Sequence, residues 1–333
     1  MRTARVLGVL LALGAGFPAE AREFRSSDVY PFDYPTVQAA VQVDKLMRER
    51  SGGKLGITVL GYDDRDSESY TAAQVRNGQL DMARLNLAVL NNLVPSTAIF
   101  SLPYLFKSKE HARRILDGPI GEEILADLES HGLVGLAFYD GGPRHFYSVK
   151  QAIRTPADLK GVKVRVQQAD IWTSILRAVG AEPVVAPADR VYLKLQSGVI
   201  DTSEQNWPSY VTLRHYHVAP YLSLTGHSMT PAVLVFSKRV WDTLSPGDQT
   251  IIRDAARDSV SIMRRLWDDY EVAAERTAEK AGAKIVRDVD RKAFADQLVA
   301  LYPSIIEDPR LRSLVRRIRA DQPLELQSER PKD

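Results

Sequence analysis

Short apolar runs alternate with amphipathic stretches along most of this chain, and that alternation is the strongest constraint on its fold. Residues 24–28 read as a strand. Residues 36–50 read as a helix that begins after Pro35 and stops at Ser51-Gly52-Gly53. A strand at 55–60, a short helix at 72–77 closed by Gly78, a helix opening at 110–114 and a strongly apolar strand at 133–139 follow. A second series then begins. Residues 146–149, 162–166, 183–185 and 199–201 are strand candidates, with helices at 171–179 and 190–196 between them. Repeated βα units imply an α/β fold with parallel strands and helices on both faces. Ligands in such sheets sit outside the carboxyl ends of strands.

Residues 232–237 form one more apolar strand. Ser245-Pro246 then opens a helical tract with proline at its first position, and the tract runs to Ala281 before Gly282. At 1.5 Å per residue it would be on the order of 50 Å long, more than one small domain needs. Either it lies across two lobes as a brace, or it breaks near 259–261 into two ordinary helices. The expected organisation is a first lobe over 22–145, to which 231–250 returns, a second lobe over 146–230, a helical region over 246–320 and a disordered tail over 321–333.

The first 21 residues read as an export signal. Arg2 and Arg5 precede an apolar run too short for a stop-transfer helix, and Ala19-Glu20-Ala21 is a small-x-small cleavage site. No cysteine follows to carry a lipid, and none occurs anywhere, so disulfides are excluded and stability must come from a core. The product is expected to be soluble and periplasmic. Net charge is +2, with both signs mixed along the chain, which gives no footprint for nucleic acid. The basic cluster at 310–319 keeps Leu311, Leu314, Val315 and Ile318 at helical spacing and reads as a solvated terminal helix.

One residue breaks the apolar pattern. Arg165 sits within a run that otherwise reads as a buried strand. Arginine is almost never fully buried without a partner, so it forms either a structural pair, with Asp170 or Asp201, or a receptor for an anion. Farther along, Asp201, Glu204, Gln205, Asn206 and Trp207 crowd a strand-to-helix turn. Around these residues the chain supplies what acid and sugar recognition needs: a cation that clamps a carboxylate (Arg165), amides that pair with hydroxyls (Asn206, Gln205, Asn86, Gln167), an acceptor carboxylate (Glu68) and aromatic faces (Tyr34, Trp207). Residues so far apart in the chain fit a cleft between lobes that closes by a hinge.

Signs of catalysis are weak. There is no HExxH, GxSxG or Walker A motif. His215-x-His217 lacks a third ligand at a definable spacing, so no metal site and no cofactor are expected. Glu68 and Glu204 could form a glycosidase pair only at a suitable separation.

The sequence resembles the extracytoplasmic solute receptors of tripartite ATP-independent periplasmic (TRAP) transporters from about Phe24 to Ala320. SLPYLF at 101–106, TPADLKGVKVRVQ at 155–167, GVIDTSEQNWPSY at 198–210 and PAVLVFSKRVWDTLSP at 231–246 carry the likeness. The resemblance implies two lobes joined by crossing strands and a long helix, an organic acid held through Arg165, and delivery to small and large membrane subunits. DYPTVQA at 33–39, LNN at 90–92, DGPIGEEIL at 117–125 and NWPSY at 206–210 are similar to a branch that binds hexuronates such as glucuronate and galacturonate. That likeness makes Arg144 a second cation near the acid and sets Glu68 against sugar hydroxyls. The chain departs from the branch at 61–69, where GYDDRDSES replaces a glycine-rich stretch, at Tyr30-Pro31, where the branch has His-Pro, and at Gln205, where it has asparagine. A C4-dicarboxylate, a keto acid, or a sensory rather than transport role are the alternatives.

Overall fold

A computed structural model describes residues 21–60, 67–167 and 169–321. Residues 1–20 of the export signal expected at 1–21, the charged residues 63–66 and the expected tail from 322 lie outside the described residues. Eleven strands are present among the described residues: β1 (Arg22–Ser27), β2 (Leu55–Leu60), β3 (Met82–Asn86), β4 (Leu133–Tyr139), β5 (Arg144–Ser148), β6 (Lys163–Val166), β7 (Glu182–Val185), β8 (Thr202–Gln205), β9 (Tyr221–Ser228), β10 (Ala232–Ser237) and β11 (Lys284–Val286). They form two sheets, ordered β2-β1-β3-β10-β4 and β11-β9-β5-β8-β6-β7. Each sheet is the centre of one lobe.

The sheets are mixed, where the βα rhythm predicts parallel pairing throughout. β1 pairs parallel with β2 and β3, and β6 pairs parallel with β7 and β8. β10 is antiparallel to β3 and β4, and β5 is antiparallel to β8 and β9. The cause is the path of the chain. Residues 140–143 carry it from β4 to β5, and 229–231 carry it back from β9 to β10. A strand entering a sheet from the other lobe arrives at the ends where its neighbours finish, and so must run against them.

The strand expected at 199–201 lies instead at β8, three residues later. Its sequence, Thr202-Ser203-Glu204-Gln205, is polar throughout and yet buried. A polar strand gives no apolar signal, and it is tolerated here because its charge has a partner, described below.

Both lobes bury two apolar layers, one on each face of the sheet. In the first lobe, Phe24, Tyr34, Met47, Leu136 and Phe236 lie on one side, and Leu85, Phe100, Leu128 and Val233 on the other. In the second, Phe146, Trp172 and Phe294 oppose Tyr147, Trp207 and Tyr210. The terminal helix Pro309–Ala320 packs Leu314, Val315 and Ile318 into the first lobe and turns Arg310 outward to Glu123 at 2.9 Å.

The tract after Ser245 is one unbroken helix, Pro246–Lys280. Ser245 caps it by accepting the Asp248 N–H at 3.1 Å. Ile252, Ala255, Met263 and Trp267 enter the core of the first lobe, and Ala274 and Ala278 that of the second. The helix therefore spans both. Charge fixes it to the crossing: Asp140 accepts from Arg113 Nε at 2.7 Å and from Arg264 Nε at 3.2 Å.

The two crossing segments press backbone against backbone at Gly141. A Cβ there would lie 1.9 Å from the carbonyl oxygen of Thr230. Gly141→Ala is therefore expected to cost about 1–3 kcal/mol, or more if the backbone cannot yield. Denaturant unfolding measures this, and wild-type stability in the variant would mean that the crossings separate freely.

Candidate ligand-binding site

The carboxyl ends of β1, β6 and β7 meet at a cleft of about 280 Å³ between the lobes. The first lobe contributes Tyr30, just beyond β1, and Glu68, at the start of the helix Glu68–Asn77. Ser67 caps that helix by accepting the Tyr70 N–H at 3.3 Å. The second lobe contributes Arg165 and Gln167 at the end of β6, and residues 185–189 after β7.

Arg165 occupies a strand flanked on both sides, and its side chain is 2 % exposed. Its Nε donates to the carbonyl of Ala186 at 2.8 Å. One terminal nitrogen, Nη1, is buried without a hydrogen-bond partner. Among the described residues no salt bridge reaches it, from Asp170 and Asp201 included; Asp201 pairs instead with Lys150. Burial lowers the Arg165 pKa, and the more distant Glu204 and Tyr147 offset this in part. An arginine stays charged in a protein, so the lowered value marks desolvation that no adjacent anion compensates.

The other buried arginines differ. Arg84 is gripped by Asp28, with Nε to Oδ2 at 3.0 Å, and by Glu68 Oε1 at 2.8 Å. Burial lowers its pKa, but Asp28 and Glu68 outweigh that and raise it. The same Glu68 oxygen accepts the backbone N–H of Asn86 at 2.9 Å.

Arg144 does not line the cleft. Its guanidinium is engaged by Glu204, through Nε to Oε2 and through Nη2 to Oε1 at 2.7 Å. The resemblance makes it a second cation for the ligand; the structure commits it to the one charge of polar strand β8. Burial pushes the Glu204 pKa up, but Arg144 and His227 more than offset this and hold it at about 2. His227 Nε2 lies 3.5 Å from Glu204 Oε2. Thr225 Oγ1 accepts the Phe146 N–H and faces Nδ1 of His227 at 2.8 Å. Glu204 is paired with Arg144 and lies off the cleft, which removes the glycosidase pairing with Glu68.

The remaining candidates separate by position. Gln167 lines the main cleft; Asn86, Gln205 and Asn206 line a smaller cavity behind Tyr30. Asn206 caps the helix Trp207–Thr212 by accepting the Ser209 N–H at 2.9 Å, and donates to the Gly141 carbonyl at 2.7 Å. Asn86 Oδ1 accepts the Ala88 N–H at 3.0 Å. The expected aromatic faces are both in cores. Trp207 packs with Tyr210 and Leu195, and Tyr34 lies behind Tyr30 in a stack 3.9 Å between centroids. Tyr30 is the aromatic residue that reaches the cleft. His215 Nδ1 meets the hydroxyl of Tyr147 at 2.7 Å inside the second lobe, which gives that histidine a structural partner.

Two lobes, crossing strands, a spanning helix and an uncompensated cation in the cleft define a solute-binding receptor. The chain belongs to the bacterial extracellular solute-binding protein family 7, DctP, whose family model matches residues 26–308. It is a receptor rather than an enzyme. Among solved structures it is similar to a TRAP periplasmic solute-binding protein of Bradyrhizobium sp. BTAi1 in complex with α/β-D-galacturonate, at 47 % identity and TM-score 0.88, covering 90 % of this chain and 100 % of that one. A TRAP solute-binding protein of Xanthobacter autotrophicus Py2 with bound β-D-galacturonate matches at 45 % identity and TM-score 0.86, with the same coverage. One from Chromohalobacter salexigens DSM 3043 with bound D-glucuronate matches at 33 % and 0.86, again covering 90 % and 100 %.

The Glu204 assignment predicts an acid limb. Its folded pKa lies below the ordinary 4.5, so its contribution to stability is present above that value and is lost as pH falls toward 2. Glu204→Gln leaves Arg144 buried without a counter-charge and is expected to cost about 3–5 kcal/mol at pH 7. Urea unfolding across pH should show the gap between wild type and variant narrowing below pH 4.5. A gap that does not change with pH would remove the charge from Glu204.

Proposed function

We propose that this protein captures a sugar acid, a hexuronate such as galacturonate or glucuronate, by its carboxylate on Arg165. The observation that carries the reading is the buried Arg165 guanidinium at the cleft wall, with Nη1 unpartnered and no salt bridge to a carboxylate among the described residues. A ligand carboxylate supplies the missing anion with charge-assisted, potentially bidentate hydrogen bonds. Gln167 and Glu68, on opposite lobes, then meet hydroxyls. Because the ligand touches both lobes at once only when they are closed, binding favours closure.

The hexuronate complexes of the similar Bradyrhizobium and Xanthobacter proteins support this ligand class. A C4-dicarboxylate is disfavoured by charge. Among the described residues Arg165 is the one cation lining the cleft, and Glu68, which lines it from the other lobe, would face the second carboxylate with like charge. In this reading the chain is exported to the periplasm by its first 21 residues. Its lobes, 22–145 with 231–250 and 146–230, close on the acid and present it to the small and large membrane subunits of a TRAP transporter.

Calorimetry with D-galacturonate, D-glucuronate and succinate tests the reading. A hexuronate should bind more tightly than succinate, and Arg165→Ala should weaken it at least about tenfold, the loss of one charge-assisted clamp. Near-wild-type affinity in Arg165→Ala would overturn the clamp, and preference for succinate would overturn the ligand class.

A further inference from the structure

The cleft that holds Arg165 stops at Tyr30, and a second cavity of about 20 Å³ lies beyond it. Among the described residues, Tyr30 is the one side chain common to the walls of both. It is held there from several directions. Its ring stacks on Tyr34 at 3.9 Å and carries the Arg84 guanidinium 4.9 Å from its centroid. Its hydroxyl meets Ser209 Oγ across the lobes at 2.8 Å, and its backbone N–H donates to Asp28 Oδ1 at 3.1 Å. Such a ring is a fixed wall, not a mobile flap.

The compartment behind it is polar. Arg84, Asn86, Gln205 and Asn206 line it. Arg84 is already neutralised by Asp28 and Glu68, so among the described residues the compartment holds no free cation for a second acid. Gln205 brings a buried Oε1 that has no hydrogen-bond partner. An acceptor in that position suits a hydroxyl donor, because leaving a buried acceptor unpaired is unfavourable.

We propose that Tyr30 sets the length of acid this protein accepts: its ring closes the cleft against a polar compartment that would otherwise take the hydroxyl-bearing end of a longer polyhydroxy acid. The proposal rests on Arg165 as the carboxylate anchor, since length is counted from that fixed point. Removing the ring joins the two spaces and exposes Gln205 Oε1 to the ligand. Removing only the hydroxyl leaves the wall in place.

The experiment compares D-galacturonate with D-glucoheptonate, an open-chain seven-carbon polyhydroxy acid, by calorimetry in each variant. The readout is the ratio of the two dissociation constants, which partial destabilisation of a variant does not move. Tyr30→Ala should shift the ratio toward the heptonate by about three- to tenfold, the value of one added hydrogen bond. Tyr30→Val, which keeps part of the apolar mass, should shift it in the same direction. Tyr30→Phe should keep the wild-type ratio, and Tyr30→Ala with Gln205→Leu should lose the gain. An unchanged ratio in both Tyr30→Ala and Tyr30→Val overturns the proposal, as does an equal shift in Tyr30→Phe. If wild type binds galacturonate and Arg165→Ala abolishes it while these ratios stay flat, only the length assignment fails. If wild type binds neither acid, the carboxylate reading fails with it.

Discussion

A guanidinium sealed into a sheet, with no carboxylate among the described residues paired to it, is the interaction around which this molecule is arranged. Arg165 keeps its charge and loses most of its water. Its site can tolerate that only because β6 is flanked by two strands and the Ala186 carbonyl fixes Nε. Every other strongly buried arginine of the cleft region is neutralised within the protein, Arg84 by Asp28 and Glu68, Arg144 by Glu204. The contrast makes selectivity electrostatic before it is steric. Among the described residues one buried arginine of this region is left for the ligand, and the other two are held by carboxylates of the protein.

The neighbouring pairs also explain why β8 can exist. Four polar residues in succession would ordinarily prefer water. They form a buried strand because Glu204 gains Arg144 and His227, and the strand then places Gln205 and Asn206 behind Tyr30. The charge that stabilises the second lobe thus positions amides at the junction of the lobes. Structure and recognition share residues here, and a substitution at Glu204 would disturb both.

Much of this was legible in the sequence. The strands 55–60, 133–139 and 232–237 fall where apolar alternation and length put them, and Arg165 stands out because it interrupts such a run. Apolar pattern puts β8 three residues too early, since a polar strand stabilised by a distant ion pair carries no local period. The direction of β5 and β10 was hidden for a related reason: it depends on which lobe the chain comes from, and no residue encodes that locally. Arg144 and Trp207 belong to the same class of difficulty. Sequence shows a cation and an aromatic beside a turn, while the third dimension decides whether they face a ligand or a partner such as Glu204 or Tyr210. Tyr30 was visible only as a departure from a resembling pattern, and its place on the cleft wall came from the packing of Tyr34 and Ser209 behind it.

The close approach of Gly141 to Thr230 has a mechanical meaning. Two strands of backbone that touch cannot twist independently, so the lobes share a single axle, and the unbroken helix alongside it behaves as a flexural beam loaded whenever they swing. Affinity in such a device is the intrinsic grip of the cleft multiplied by the fraction of molecules already swung shut. On the beam, Trp267 and Glu271 lie against Gly142, where the beam meets that axle.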